Sequence, residues 1–155
     1  MVVRTTTTAS VKDIMTRDPV CVTPDTSAVE LARILEANEI SGVPVVDALD
    51  RAIGVVSKTD LLHRCLAGPI GSRPGSFLES LAEGMQTGTD LHPGALGTVE
   101  EFMSPEPVTA SPDEPIIAVA RRMADEGIHR VVVVDEQQHV LGIVTSLDLL
   151  TVFPS

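Results

Sequence analysis

The segment Val11–Leu62 aligns with Val99–Leu150 at a constant offset of 88 positions, without a gap. Eighteen of the 52 aligned positions are identical. Among them are Met15 with Met103, Pro19 with Pro107, Pro24-Asp25 with Pro112-Asp113, Ile40 with Ile128, Asp47 with Asp135, Gly54 with Gly142, and Asp60-Leu61-Leu62 with Asp148-Leu149-Leu150. Several of the others exchange one apolar residue for another, as Leu31 with Val119 and Ile53 with Leu141. Self-similarity at a fixed period marks a supersecondary unit repeated in tandem. A copy of about 50 residues buries too little surface to be stable alone, so the two copies are expected to share a core.

The duplication allows each element to be read twice. After Pro24, Ala28, Leu31, Ala32 and Leu35 fall at i, i+3, i+4 and i+7, the stripe of an amphipathic helix. Ser27 and Glu30 have the spacing of a capping box at its start. The second copy has Ile116, Val119, Ala120 and Met123 at the same places, with Pro115 in the first turn, where a missing N–H costs nothing. Next come "VPVVD" and "VVVVD", β-branched runs read as buried strands. A polar turn ("ALDR" or "EQQH") leads to "IGVV" or "LGIV", the returning strand of a hairpin. A last helix begins at Lys58 or Ser146. With a lead-in strand around Pro19–Val22 and Pro107–Ala110, each copy reads β-α-β-β-α. The fold class expected is therefore α/β (α+β), two repeats packed sheet to sheet about a pseudo-two-fold axis.

The chain divides into a flexible tail (1–10), a first repeat (11–62), a linker (63–98), a second repeat (99–150) and a short C-terminal tail (151–155). The linker is dense in Gly, Pro, Ser and Thr and reads as loop, with "FLESLAEGM" long enough for about two turns of helix. Its glycines Gly68, Gly71 and Gly75 do not make a phosphate loop, because neither the Gly-Lys-Ser/Thr ending nor a preceding strand is present.

Eleven Lys and Arg against 22 Asp and Glu give a formal charge of −11. Nucleic-acid affinity comes largely from neutralising phosphates, so this balance argues against a nucleic-acid partner. Three Phe, no Tyr and no Trp mean that a flat ligand must be held by aliphatic side chains and backbone. No apolar segment approaches the ~18 residues of a membrane span, and "MVVRTTTTAS" has no signal-peptide core. A soluble, cytoplasmic protein is expected. Cys21 and Cys65 lack a partner pattern and read as isolated thiols. His63, His92, His129 and His139 fall at unrelated spacings, so no metal site is expected. No nucleophile–base–orienter set assembles either, and the chain is not expected to be an enzyme.

Each repeat ends on Gly-apolar-apolar-Ser/Thr-x-x-Asp, Gly54 to Asp60 and Gly142 to Asp148. Ser57 and Thr145 fall where strand hands over to helix, where free backbone N–H groups attract anions. Helix capping explains the same residues, with Ser/Thr as N-cap and Asp complementing the dipole. A carboxylate there repels a phosphate by ~4 kcal/mol at 4 Å and an effective dielectric of 20. It suits a neutral diol such as a ribose instead. Hydroxyl, helix start and Asp together describe half of a nucleotide site.

The gapless repeat, "GVPVVD" and the paired "G-h-h-S/T-x-x-D" endings resemble tandem cystathionine-β-synthase (CBS) domains, the arrangement called a Bateman module. "IHRVVVVD", Ile128–Asp135, is also similar to the nucleotide-sensing γ subunits of AMP-activated protein kinase. The resemblance implies adenosine-containing ligands in two clefts, with AMP, ADP or ATP foremost and NAD or S-adenosylmethionine as alternatives. It implies no metal beyond Mg2+ accompanying ATP. In the family each cleft is crossed between the repeats. Carried over, one site holds Ser57, Lys58, Asp60, Ser104, Val108, Ile128, His129 and Arg130; the other holds Thr16, Val20, Ile40, Ser41, Thr145 and Asp148. Asp60 and Asp148 match ribose-binding aspartates, and His129-Arg130 matches a phosphate-holding pair. The first repeat has Ser41-Gly42 there, so the sites are unequal. Without the family pattern, His129 reads as a surface residue and Arg130 as a partner of Asp125 or Glu126. The resemblance further implies a homodimer of regulatory modules acting on an effector protein. A ligand-free interaction scaffold is the alternative.

Overall fold

The computed structural model describes residues 9–67 and 96–152. A 3-10 turn at Val11–Asp13 is followed by β1 (Thr16–Arg17), α1 (Ala28–Ala37), β2 (Gly42–Val46), β3 (Ala52–Ser57) and α2 (Lys58–Ala67). The second copy supplies α3 (Val99–Phe102), β4 (Ser104–Pro105), β5 (Thr109–Ala110), α4 (Ile116–Glu126), β6 (Arg130–Val134), β7 (Val140–Thr145) and α5 (Ser146–Leu150). Contacts divide the chain into two compact units. One comprises Met1–Val20, Val46–Ile53 and Glu106–Ser155; the other comprises Cys21–Val45 and Gly54–Pro105.

The first unit is built on a sheet in the order β1-β7-β6-β5. The hairpin β6–β7 is antiparallel, and β5 runs parallel to β6 with Thr109 opposite Val132. The stripe read from the sequence faces this sheet: Ile116, Val119 and Met123 are buried with Val131, Val133 and Val144, and Ala120 packs against them. The second unit has a three-stranded sheet, β2-β3-β4, joined by a parallel bridge from Val22 to Val45. Here Ala28, Leu31 and Leu35 of α1 are buried with Val43, Val45 and Val56. Each fully buried leucine contributes about 1.5–3 kcal/mol of transfer free energy. Ser27 accepts from the Glu30 N–H at 3.0 Å, the N-cap half of the expected box.

The lead-in strands need correcting. The second copy has its strand at Thr109–Ala110, within the expected stretch, but the first has only the Val22 bridge there. Ahead of each lies a further two-residue strand, β1 or β4, that the sequence reading missed. These strands are exchanged: β1 of the first copy pairs with β7 of the second, and β4 of the second pairs with β3 of the first. The preceding turns follow the same exchange. Val11 N–H bonds to the Glu114 carbonyl, and Val99 N–H to that of Thr26. Helix α2 runs five residues past Leu62, into the stretch read as linker. The "FLESLAEGM" helix and the glycine-rich flanks lie outside the described residues.

Hairpin turns are held alike in both copies. Asp47 Oδ1 accepts from the Leu49 and Arg51 N–H groups, both at 2.9 Å, and Oδ2 accepts from Arg51 Nε at 2.8 Å. Asp135 Oδ1 accepts from the Gln137 and His139 N–H groups at 2.8 and 2.9 Å. The backbone N–H of Arg51 foremost, and that of His139 in the second copy, hold the two carboxyls below the usual range. Asp135 therefore belongs to the turn.

After α4, Gly127 closes the helix at φ 65°, and its counterpart after α1, Glu39, sits at φ 52°. A left-handed L-residue costs roughly 1–2 kcal/mol, and glycine returns roughly 0.5–1 kcal/mol of that as unfolded-state entropy. Glu39→Gly is expected to stabilise the chain by about 0.5–1 kcal/mol. A rise in the urea midpoint at constant m-value checks this.

Candidate ribose-binding strand ends

Both repeat endings form the same capping box. Asp60 Oδ2 accepts from the Ser57 N–H at 2.8 Å and from Ser57 Oγ at 3.0 Å, while Ser57 Oγ accepts from the Asp60 N–H at 3.2 Å. Asp148 Oδ2 accepts from the Thr145 N–H at 2.8 Å and Thr145 Oγ1 at 3.1 Å, and Thr145 Oγ1 accepts from the Asp148 N–H at 3.3 Å. The capping alternative is thus realised at both ends.

It also closes the helix starts. The Lys58 N–H bonds to the Ser41 carbonyl at 2.8 Å, and the Ser146 N–H to the His129 carbonyl at 2.9 Å. Of the first four N–H groups at each start, those of Thr59 and Leu147 have no bond among the described residues. Most of the free N–H groups expected from the sequence are therefore consumed, and a phosphate here relies chiefly on side-chain cations. Each carboxylate keeps Oδ1 without a hydrogen bond among the described residues. An acceptor of that kind suits a hydroxyl pair.

The glycine opening each motif is explained by the exchanged strands. A Cβ on Gly142 would lie 2.8 Å from the Thr16 carbonyl oxygen and 2.6 Å from Met15 Sδ. On Gly54 it would lie 2.9 Å from the Ser104 carbonyl oxygen and 2.8 Å from Met103 Sδ. Only glycine lets the lead-in backbone cross the strand this closely. The sequence reading missed this role, although Met15/Met103 and Gly54/Gly142 are both identities of the repeat.

Because of the exchange, each ending meets the lead-in of the other copy. Thr16 pairs with Ile143, two residues before Thr145, and Ser104 pairs with Val55, two before Ser57. Thr16, Val20, Thr145 and Asp148 thus fall in the first unit, and Ser57, Lys58, Asp60 and Ser104 in the second. The rest are divided the other way: Ile40 and Ser41 lie in the second unit, and Val108, Ile128, His129 and Arg130 in the first. Arg130 stands opposite Thr145 in the β6–β7 ladder, and the Val108 carbonyl accepts from the Val132 N–H at 3.1 Å. Thr16, Ser41, Lys58, Ser104 and His129 are exposed, and Val20 is 39% exposed, high for an apolar side chain.

A groove of about 640 Å3 in the first unit, between Thr109–Glu114 and the β6–β7 turn, contains none of these residues. Asp113, Glu114, Asp135 and Glu136 line it, which makes it hostile to phosphate. Among the described residues no group of three or more His, Cys, Asp or Glu is placed to hold a metal ion. No helix of those residues is long and apolar enough to cross a membrane.

Comparison with known proteins places this architecture. L-aspartate semialdehyde sulfurtransferase of Methanocaldococcus jannaschii is 30% identical over 143 residues, covering 92% of this chain and 23% of that enzyme. An uncharacterised protein of the same organism is 29% identical over 152 residues, covering 90% of this chain and 88% of its own length. The human 5'-AMP-activated protein kinase subunit gamma-3 is 30% identical over 128 residues, 78% of this chain and 23% of the subunit. The chain therefore spans less than a quarter of the sulfurtransferase and of the kinase subunit.

Among solved structures, the CBS domain pair of protein MJ0100, in complex with 5'-methylthioadenosine and S-adenosyl-L-methionine, superposes with a TM-score of 0.69. It is 29% identical and covers 94% of this chain and 95% of its own. CBSX2 of Arabidopsis thaliana, in complex with AMP, has a TM-score of 0.68 at 25% identity, covering 92% of this chain and 93% of its own. The family model for the CBS domain matches twice, over residues 11–67 and 99–155. One match falls on each copy of the repeat, and the chain belongs to the CBS-domain family as a tandem pair.

Proposed function

We propose that the chain is a regulatory module that binds an adenosine-containing ligand and reports its level to an effector protein. The observation that carries this is the likeness, over more than nine-tenths of the chain, to CBS pairs solved with 5'-methylthioadenosine and S-adenosylmethionine and with AMP. The uncommitted Oδ1 atoms of Asp60 and Asp148 support it. In this reading Asp60 accepts from the ribose hydroxyls of one ligand, beside Ser57, Lys58 and Ser104. Asp148 does so for a second, beside Thr145, Thr16 and the exposed Val20. Since the helix starts are mostly closed, a phosphate is held chiefly by Lys58, His129 or Arg130, and AMP, ADP or ATP is the preferred class. Ile40, Ser41, Val108 and Ile128 complete the contacts. The ligand shifts the module only as far as its affinities for two arrangements differ.

The module works without catalysis of its own, as a homodimer in the cytoplasm. Its two cysteines, Cys21 and Cys65, form no disulfide, which suits a reducing compartment. Exposed leucines on α2 (Leu62 and Leu66) and on α5 (Leu147 and Leu150) supply apolar surface for self-association.

One observation favours a ligand-free interaction scaffold instead: the capping boxes alone explain both Ser/Thr-x-x-Asp endings. Thermal-shift measurements with AMP, ADP, ATP, NAD, S-adenosylmethionine and 5'-methylthioadenosine separate the two readings. A ligand at 100 times its Kd adds ~2.7 kcal/mol of stability. Failure of all six to raise the midpoint favours the scaffold.

A further inference from the structure

We propose that Met15 and Met103 are a matched pair of peroxide-sensitive clamps that hold the exchanged lead-in strands on their sheets. Each sulfur rests on the glycine of a repeat ending, in contact close enough that a Cβ on Gly142 or Gly54 would meet it at 2.6 or 2.8 Å. The strands so held are two residues long, with two register pairs each, so the methionine contact adds to the few ladder bonds and the backbone bonds of the preceding turns that seat them. Both side chains are half-buried, whereas Met123 is 4% exposed inside the core. A peroxide transfers one oxygen to the thioether and leaves as water or alcohol. Sulfur is oxidised by two electrons to the sulfoxide, and the peroxide O–O bond is broken. The product is bulkier and carries a strong acceptor into a contact between a sulfur and a glycine backbone. Met15 also packs against the core cluster of the first unit, where that acceptor meets apolar side chains. Oxidation therefore lifts β1 and β4, carrying Thr16 and Ser104 away from Asp148 and Asp60.

The test treats the full chain with hydrogen peroxide and maps the sulfoxides by peptide mass spectrometry. Unfolding midpoint and AMP affinity are then followed, in the wild type and in the doubly substituted Met15→Leu/Met103→Leu protein. Met15 and Met103 are expected to oxidise before Met123, the midpoint to fall by roughly 2–4 °C or more, and AMP binding to weaken. Methionine sulfoxide reductases A and B together should restore both, and the leucine variant should keep both at the same dose. Three results overturn the proposal: sulfoxides at both positions with an unchanged midpoint, no modification at a dose that oxidises free methionine, or an equal loss in the leucine variant. Only the affinity readout rests on the proposed ligand function. If the untreated protein binds no AMP, the choice of AMP as ligand fails while the midpoint still decides the clamp.

Discussion

Gly142→Val is expected to be among the most destabilising single changes in this chain, at about 3 kcal/mol, the upper end of overpacking penalties. The Met15 side chain has rotatable bonds and can swing away from a new Cβ. The Thr16 carbonyl, 2.8 Å from that Cβ, cannot, because it belongs to the backbone of β1. Either β1 leaves the sheet or the hairpin β6–β7 shifts beneath it. Gly142→Ala is expected to lose about 1–3 kcal/mol by the same contact. Adding Met15→Ala should not rescue it, since the carbonyl remains. Gly54→Val behaves alike through Ser104, 2.9 Å away. Urea unfolding checks the series, and a wild-type midpoint for Gly142→Val would show that the exchanged strand does not lie on the glycine.

The hairpins, the helix stripes and the last-helix starts at Lys58 and Ser146 were legible because they follow from local periodicity. Having two copies at one offset removed most of the ambiguity of short apolar runs. The exchanged strands were not legible. Two residues such as Thr16-Arg17 carry no alternation, and the glycine they cross, Gly142 for β1 and Gly54 for β4, is far away in sequence. The repeat identities Met15/Met103 and Gly54/Gly142 marked the place without giving a reason for it. At the candidate sites, residue types and spacing pointed to a helix start with hydroxyl and carboxylate, and both stand there. What spacing could not convey is that the carboxylate turns one oxygen inward to cap the helix. Nor could it convey that the carbonyls of Ser41 and His129 take up a further N–H. An open anion site and a closed cap share one sequence pattern, and only hydrogen-bond directions separate them.

The cap, together with the proposed ribose role of the same carboxylate, determines which substitution is informative. Asp60→Ala removes the proposed ribose acceptor and the cap together, and losing the cap interaction alone costs about 0.5–2 kcal/mol. Asp60→Asn keeps an oxygen for the Ser57 N–H and Oγ while turning an NH2 toward the position of Oδ1. A ribose hydroxyl then loses a charged acceptor, an interaction of about 1.5–3 kcal/mol. The expected loss of AMP affinity is about 10–150-fold at that site, with little change in unfolding midpoint. Asp148→Asn is expected to do the same at the other site.

Calorimetric titration of AMP into the wild type and into the Asp60→Asn/Asp148→Asn protein tests ligand binding through these carboxylates most directly. Saturable binding by the wild type, weakened about 10–150-fold in the double variant at an unchanged unfolding midpoint, is the predicted result. Equal affinity in the two proteins would contradict the assignment of Asp60 and Asp148 as ribose acceptors.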